Sequence, residues 1–182
     1  MPEPATQDGR RAKGDRRRAL LIEATLRVIE SEGIAGVTHR AVAAEAGLPP
    51  AAAAYYFRAV DDLLLAALHN ANEAYAQALA ELPKTGGTAA LARLMADLCR
   101  TERARVVAEC ELCLLAVRRP ALRPAIEQWD AIIGDYLGQF TDDPITIRAA
   151  AAVFEGMLYQ ALLADRPLSA ADFQAVLDRV LT

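Results

Sequence analysis

A chain of 182 residues that is 54% hydrophobic but only 5% aromatic can bury a core, and its wealth of alanine and leucine excludes a disordered chain and disfavours a β-sandwich. The net charge of −4 argues against nucleic acid until it is divided: residues 1–60 are net +2 and residues 61–182 are net −6. Three cysteines make no disulfide framework, no apolar run approaches the roughly 20 residues of a membrane span, and Met1–Lys13 lacks the apolar centre of a signal peptide, so a reducing cytoplasm is the expected setting.

The chain opens with six clustered cations, Arg10, Arg11, Lys13, Arg16, Arg17 and Arg18, interrupted only by Asp15. Residues 1–15 read as a flexible basic arm, either a solvated tail or a segment that follows a polyanion. Ala19, Leu20, Ile22, Ala24, Leu26, Val28 and Ile29 then form a helical apolar pattern that Gly33 closes. Thr38 is a candidate N-cap for a short helix ending at Gly47, and Pro50 sits where a helix accepts proline, opening a further two turns to Phe57. A fourth helix begins at Asp61-Asp62, acids suited to its positive end, and stops by Pro83. Beyond the linker Pro83–Gly87, helices are expected at about 88–101, 103–118, 120–139, 144–164 and 169–181. Asp143-Pro144 supplies a cap and an N1 proline, and Ser169 with Asp172 resembles a capping box. No period-two pattern survives, so the fold class is all-α with nine helices.

Two short helices across a glycine turn form a helix-turn-helix arrangement, the first bracing (Thr38–Ala46) and the second reading a major groove (Pro50–Phe57). The residues Gly36-Val37-Thr38-His39-Arg40-Ala41-Val42-Ala43-Ala44-Glu45-Ala46-Gly47-Leu48-Pro49, then Tyr56-Phe57 and Asp62-Leu63-Leu64, resemble the tetracycline-repressor (TetR) family over about residues 18–66. The resemblance implies a three-helix DNA-binding domain at 16–60 and a helical ligand-binding and dimerisation domain at 61–182. It also implies phosphate contacts from Thr38 and Tyr56, with Tyr55 facing the groove. The chain departs from the family where Ala51, Ala52, Ala53 and Ala54 replace Gly-Thr-Leu-Tyr, and where Val60 replaces a lysine. Alanine touches a thymine methyl but makes no bidentate bond. The expected DNA contacts are therefore Arg16, Arg17, Arg18, Thr38, His39, Arg40, Pro50, Ala51, Tyr55 and Tyr56.

In the acidic body, Met95, Cys99, Glu109, Leu112, Trp129, Tyr136, Phe154 and Met157 are candidates for an effector pocket, each with ordinary core packing as the competing reading. Phe173, Val176, Leu177, Val180 and Leu181 form one apolar stripe on the last helix, and the helix before it is apolar nearly all round. With Phe154 and Leu158, this stripe is expected to build a dimer. Only two histidines, His39 and His69, are present, with no phosphate loop or nucleophile elbow, so no catalytic residue and no enzyme activity is expected. Cys110 and Cys113, with Cys99 one helix earlier, are either a thiol switch or small core residues. The expected partners are a double-stranded DNA operator, an unidentified small effector and a second copy. No cofactor, metal or membrane is expected. The function is a sequence-specific DNA-binding regulator, most simply a repressor released by its effector; the alternative is a helical ligand-binding or interaction module with a vestigial helix-turn-helix.

Overall fold

Glycines, prolines and side-chain caps set where each helix starts and stops. The computed structural model describes residues 5–83, 87–165 and 167–181, so residues 1–4 of the expected arm and 84–86 of the expected linker lie outside the described residues. Among the described residues there are nine α-helices and no strand: α1 (Ala5–Glu32), α2 (His39–Glu45), α3 (Pro50–Tyr56), α4 (Val60–Ala80), α5 (Thr88–Thr101), α6 (Arg103–Ala116), α7 (Arg123–Leu137), α8 (Pro144–Leu163) and α9 (Ala170–Leu181). The chain divides into two compact units, residues 1–70 and 71–182. The division falls within α4, later than the expected boundary after residue 60.

In the first unit, α2 begins where the Thr38 hydroxyl accepts the Ala41 amide at 3.0 Å and ends where Gly47 adopts φ +66°. That left-handed residue lets the Leu48 amide reach back to the Ala43 carbonyl (2.9 Å) and the Gly47 amide to that of Ala44 (3.0 Å), which satisfies carbonyls a helix end otherwise leaves unpaired. Pro50 opens α3 from its first position. At the start of α4, the Asp62 carboxylate accepts the Ala59 amide at 2.9 Å. Leu21, Ala24, Val42, Ala43, Ala53, Phe57, Leu63 and Leu64 are buried.

One expectation fails here. The basic segment is not a free arm, because α1 is already helical from Ala5. The cations concealed this: arginine and lysine are good helix formers, and a cluster of them reads as a tail only if charge is weighed before propensity.

The second unit encloses one apolar core of Leu79, Leu91, Met95, Ile133, Leu137, Phe154, Met157, Phe173 and Leu177, drawn from α4, α5, α7, α8 and α9. Asp143 caps α8 through the Ile145 and Thr146 amides at 3.3 and 3.0 Å. Its carboxyl sits below the usual range because Thr146, by hydroxyl and amide, and the Ile145 amide all bond the charged form. Ser169 and Asp172 make the reciprocal box expected of them, the Ser169 amide bonding the carboxylate at 2.8 Å and the Asp172 amide bonding the hydroxyl at 3.3 Å.

The apolar stripe of α9 faces inward. Phe173 and Leu177 are fully buried and Phe154 nearly so, within a core shared with α5 and α8. These three, expected at a dimer face, have no surface left for a partner; the periodicity showed an apolar face without showing which chain covers it. Val176 is 40% exposed, and Val180 and Leu158 are half-buried. Phe173→Ala is expected to cost about 3–5 kcal/mol in urea unfolding. Val176→Ala, on the outer side of the same helix, should cost under about 0.5 kcal/mol; equal losses would mean that the helix packs the other way round.

Candidate DNA interface and effector site

The outward face of α3 carries Pro50, Ala51, Ala54 and Tyr55, with Arg58 just beyond the helix, while Ala53 is buried beneath. Tyr55 is 80% exposed, an uncommon position for a tyrosine with nothing to bind. Tyr56 is half-buried and stands edge-on to the Tyr55 ring at 5.0 Å. A Cβ added to Gly14 would lie 3.7 Å from the Tyr56 hydroxyl, so α1 runs beside the end of α3. One turn further along α1, the Arg18 guanidinium lies over the Phe57 ring at 5.1 Å, a cation–π contact. Arg16, Arg17 and Arg40 are exposed. Thr38 is exposed too, and because its oxygen only accepts in the cap, its hydroxyl proton remains free to donate.

His39 departs from expectation. Its Nε2 is 2.9 Å from the Phe57 carbonyl, and because a carbonyl only accepts, Nε2 carries the proton. The ring thus ties the start of α2 to the end of α3 through this nitrogen. A further link, missed in the sequence, is the pair Arg27–Glu45 at 2.6 Å, which joins α1 to α2. At this exposure it contributes about 0–1 kcal/mol.

In the second unit, polar groups from four helices meet. Tyr75 of α4 donates to Glu109 of α6 at 2.5 Å, and Arg105 donates to the other Glu109 oxygen at 3.0 Å. The Trp129 indole of α7 donates to Glu155 of α8 at 3.0 Å. The Trp129 ring is 5.7 Å from that of Tyr75 and 5.9 Å from that of Phe154. Of the expected effector residues, Glu109, Trp129 and Phe154 are brought together here. Met95, Cys99, Tyr136 and Met157 belong to the apolar core, and Leu112 is fully buried. Tyr75, Arg105 and Glu155 were missed. Glu155 had a signal, as a lone acid in the apolar run from Ala149 to Leu163.

Burial pushes the Glu109 carboxyl above its usual range, and the bonds from Tyr75 and Arg105 only partly oppose this. Burial, followed by the nearby Glu109 charge, raises the Tyr75 phenol far beyond its usual range, which keeps it a donor. Burial likewise lifts Cys110 to about 11 and Cys113 to about 12. Both thiols are protonated near neutrality, the poor state for thiolate chemistry or metal ligation. Among the described residues no group of three or more His, Cys, Asp or Glu is placed to hold a metal, and no helix is long and apolar enough to cross a membrane.

A helix-turn-helix unit in the same chain as an all-helical body is the organisation of a DNA-binding transcription regulator. The model for bacterial regulatory proteins of the tetR family matches residues 21–67, and that for the tetracyclin repressor-like C-terminal domain matches residues 86–182. The multidrug binding protein EbrR, solved with ethidium, is 41% identical over 90% of this chain and 97% of its own, with a TM-score of 0.80. A TetR-family member from Streptomyces coelicolor A3 is 40% identical over 91% and 98%, with a TM-score of 0.82. A transcriptional regulator from Streptomyces coelicolor A3(2) is 30% identical over 91% and 98%, with a TM-score of 0.80. No curated protein matches. The chain belongs to the TetR family of DNA-binding transcriptional regulators.

The buried acid makes stability depend on pH. A carboxyl raised in the folded state above its ordinary 4.5 favours folding most when pH is below that value, and the contribution is lost as pH rises through the folded value. Glu109→Gln cannot ionise. The stability of this variant relative to wild type should therefore increase as pH rises from 4.5 and level off once Glu109 is charged. A difference that stays flat from pH 4 to pH 8 would show Glu109 to be an ordinary ionised partner of Arg105.

Proposed function

We propose that this regulator is a repressor that binds a palindromic operator as a homodimer and leaves it when a small aromatic effector occupies the Tyr75–Glu109–Trp129–Glu155 cluster. The observation that carries the reading is the exposed α3 face, with Tyr55 outermost, braced from behind by His39 and Arg18. Arg16, Arg17 and Arg18 supply phosphate contacts from α1. Thr38 donates its free hydroxyl proton to a phosphate and Tyr56 contributes its own hydroxyl. Pro50 and Ala51 meet the groove by van der Waals contact, so base discrimination rests on Tyr55, Arg40, thymine methyls and DNA shape.

The dimer reading rests on the apolar side chains that the chain leaves uncovered. Ile145 and Leu163 of α8 are 78% and 84% exposed. The exposed Ala149 and Ala152, between them in the same helix, allow close approach, and Val176 of α9 adds to the apolar surface. The effector reading draws on EbrR, solved with ethidium, proflavin and malachite green, all conjugated aromatic dyes. Aromatic side chains with a few fixed polar groups suit such ligands. No catalytic step is assigned, since His39 and Glu109 are held by structural bonds.

Anisotropy of a labelled promoter fragment tests the DNA reading. Arg16→Ala should flatten the slope of log K against log salt by about 0.9 if it removes one phosphate contact. Tyr55→Ala should blur discrimination among operator variants, whereas Tyr56→Phe should weaken all of them alike. A Tyr55→Ala profile identical to wild type would place the reading surface elsewhere. For the dimer, Leu163→Glu should shift sedimentation toward monomer without loss of helical signal, and an unshifted dimer would move the interface off α8.

A further inference from the structure

Resting on the effector reading above, we infer that Glu155 is the specificity-determining residue of the cluster, and that it selects aromatic effectors carrying one positive charge over neutral or anionic ones.

The cluster holds two carboxylates in unlike surroundings. Glu109 is answered, with a guanidinium on one oxygen and a phenol on the other. Glu155 receives one hydrogen bond, from the neutral Trp129 indole, and makes no ion pair among the described residues. Among the groups that feel its charge are Cys110, Cys113 and Tyr159. Burial holds these at about 11, 12 and 12 respectively, so all three are uncharged near neutrality. Arg105 is shared by Glu109 and Glu102, at 3.0 and 3.7 Å, whereas the negative charge on Glu155 is paired with no cation among the described residues.

That charge stands at the edge of a ring cluster. Trp129 grips one carboxylate oxygen through its indole nitrogen while its ring packs against Tyr75 and Phe154. The half-buried carboxylate of Glu155 has no counter-ion among the described residues, and a cation delocalised over an aromatic ring answers both features together: the ring meets aromatic faces and the charge meets the acid. An anionic ring would bring a second negative charge into the same place.

The test compares ethidium, a permanent cation, with 3,8-diamino-6-phenylphenanthridine (below, phenanthridine), which lacks only the N-ethyl group and is uncharged at pH 7.5, binding to the intact protein by fluorescence titration. Wild type should prefer ethidium by at least about tenfold. Glu155→Gln keeps an oxygen for the Trp129 indole but removes the charge, so it should lose about tenfold for ethidium and less than about twofold for phenanthridine. Trp129→Phe keeps the charge and should weaken both ligands while retaining the cation preference, which provides a second readout should the glutamine variant fold poorly. Equal loss of both ligands in Glu155→Gln would make the acid a support for Trp129 and overturn the charge assignment. Unchanged ethidium affinity would overturn it as well. If wild type bound neither compound, the effector reading itself would fall, and the selectivity assignment with it.

Discussion

Helices of seven residues do not persist alone in water, because nucleation costs more than so few hydrogen bonds return. Helices α2 and α3 are both this short, so their orientation comes from outside them, and the contacts that fix it converge on Phe57. Its ring is buried and carries the Arg18 guanidinium; its carbonyl takes the His39 proton; its amide closes α3 on the Ala53 carbonyl at 2.9 Å. One residue thereby relates α1, α2 and α3, and the outward presentation of Tyr55 depends on it. The conformation at Gly47 turns the chain between the two short helices, and the Thr38 cap fixes where the first begins.

The second unit solves a different problem, that of keeping polar groups inside a helical body. An acid near the core is tolerable only when its oxygens are bonded, and Glu109 meets that condition with one partner from α4 and one from its own helix. Glu155 meets it with a single neutral donor. The two acids sit within one cluster yet differ in what they leave unsatisfied, and the effector selectivity proposed for Glu155 rests on that difference.

Local signals were legible in the sequence wherever a residue acts on its own neighbourhood. The N-cap at Thr38, the stop at Gly47, the proline starts at Pro50 and Pro144, and the Ser169–Asp172 box all stand where the chain order put them, since capping is decided within four residues. Charge, periodicity and composition say less about distant partners. The stripe on α9 marked an apolar face correctly, but α5 covers that face from within the chain. The basic segment was read by its charge, although its helix propensity governs its shape. Tyr75, Arg105 and Glu155 reach their site from three helices far apart in sequence, and no local pattern registers that meeting. Nor does any pattern near His39 show that Phe57, 18 residues on, accepts its proton.

The helical form of the basic segment alters how ionic strength acts on the protein. Lys13, Arg16 and Arg17 occupy i, i+3 and i+4 positions on α1, where like charges oppose helix formation by a few tenths of a kcal/mol per pair. Dissolved ions screen that repulsion and so firm up the beginning of α1, while the same ions compete with the segment for a polyanion. A polyelectrolyte partner does both jobs at once, neutralising the charges and keeping them. With the phosphate contacts proposed for Arg16 and Arg17, this stretch of α1 is one whose rigidity and whose grip respond to salt in opposite directions.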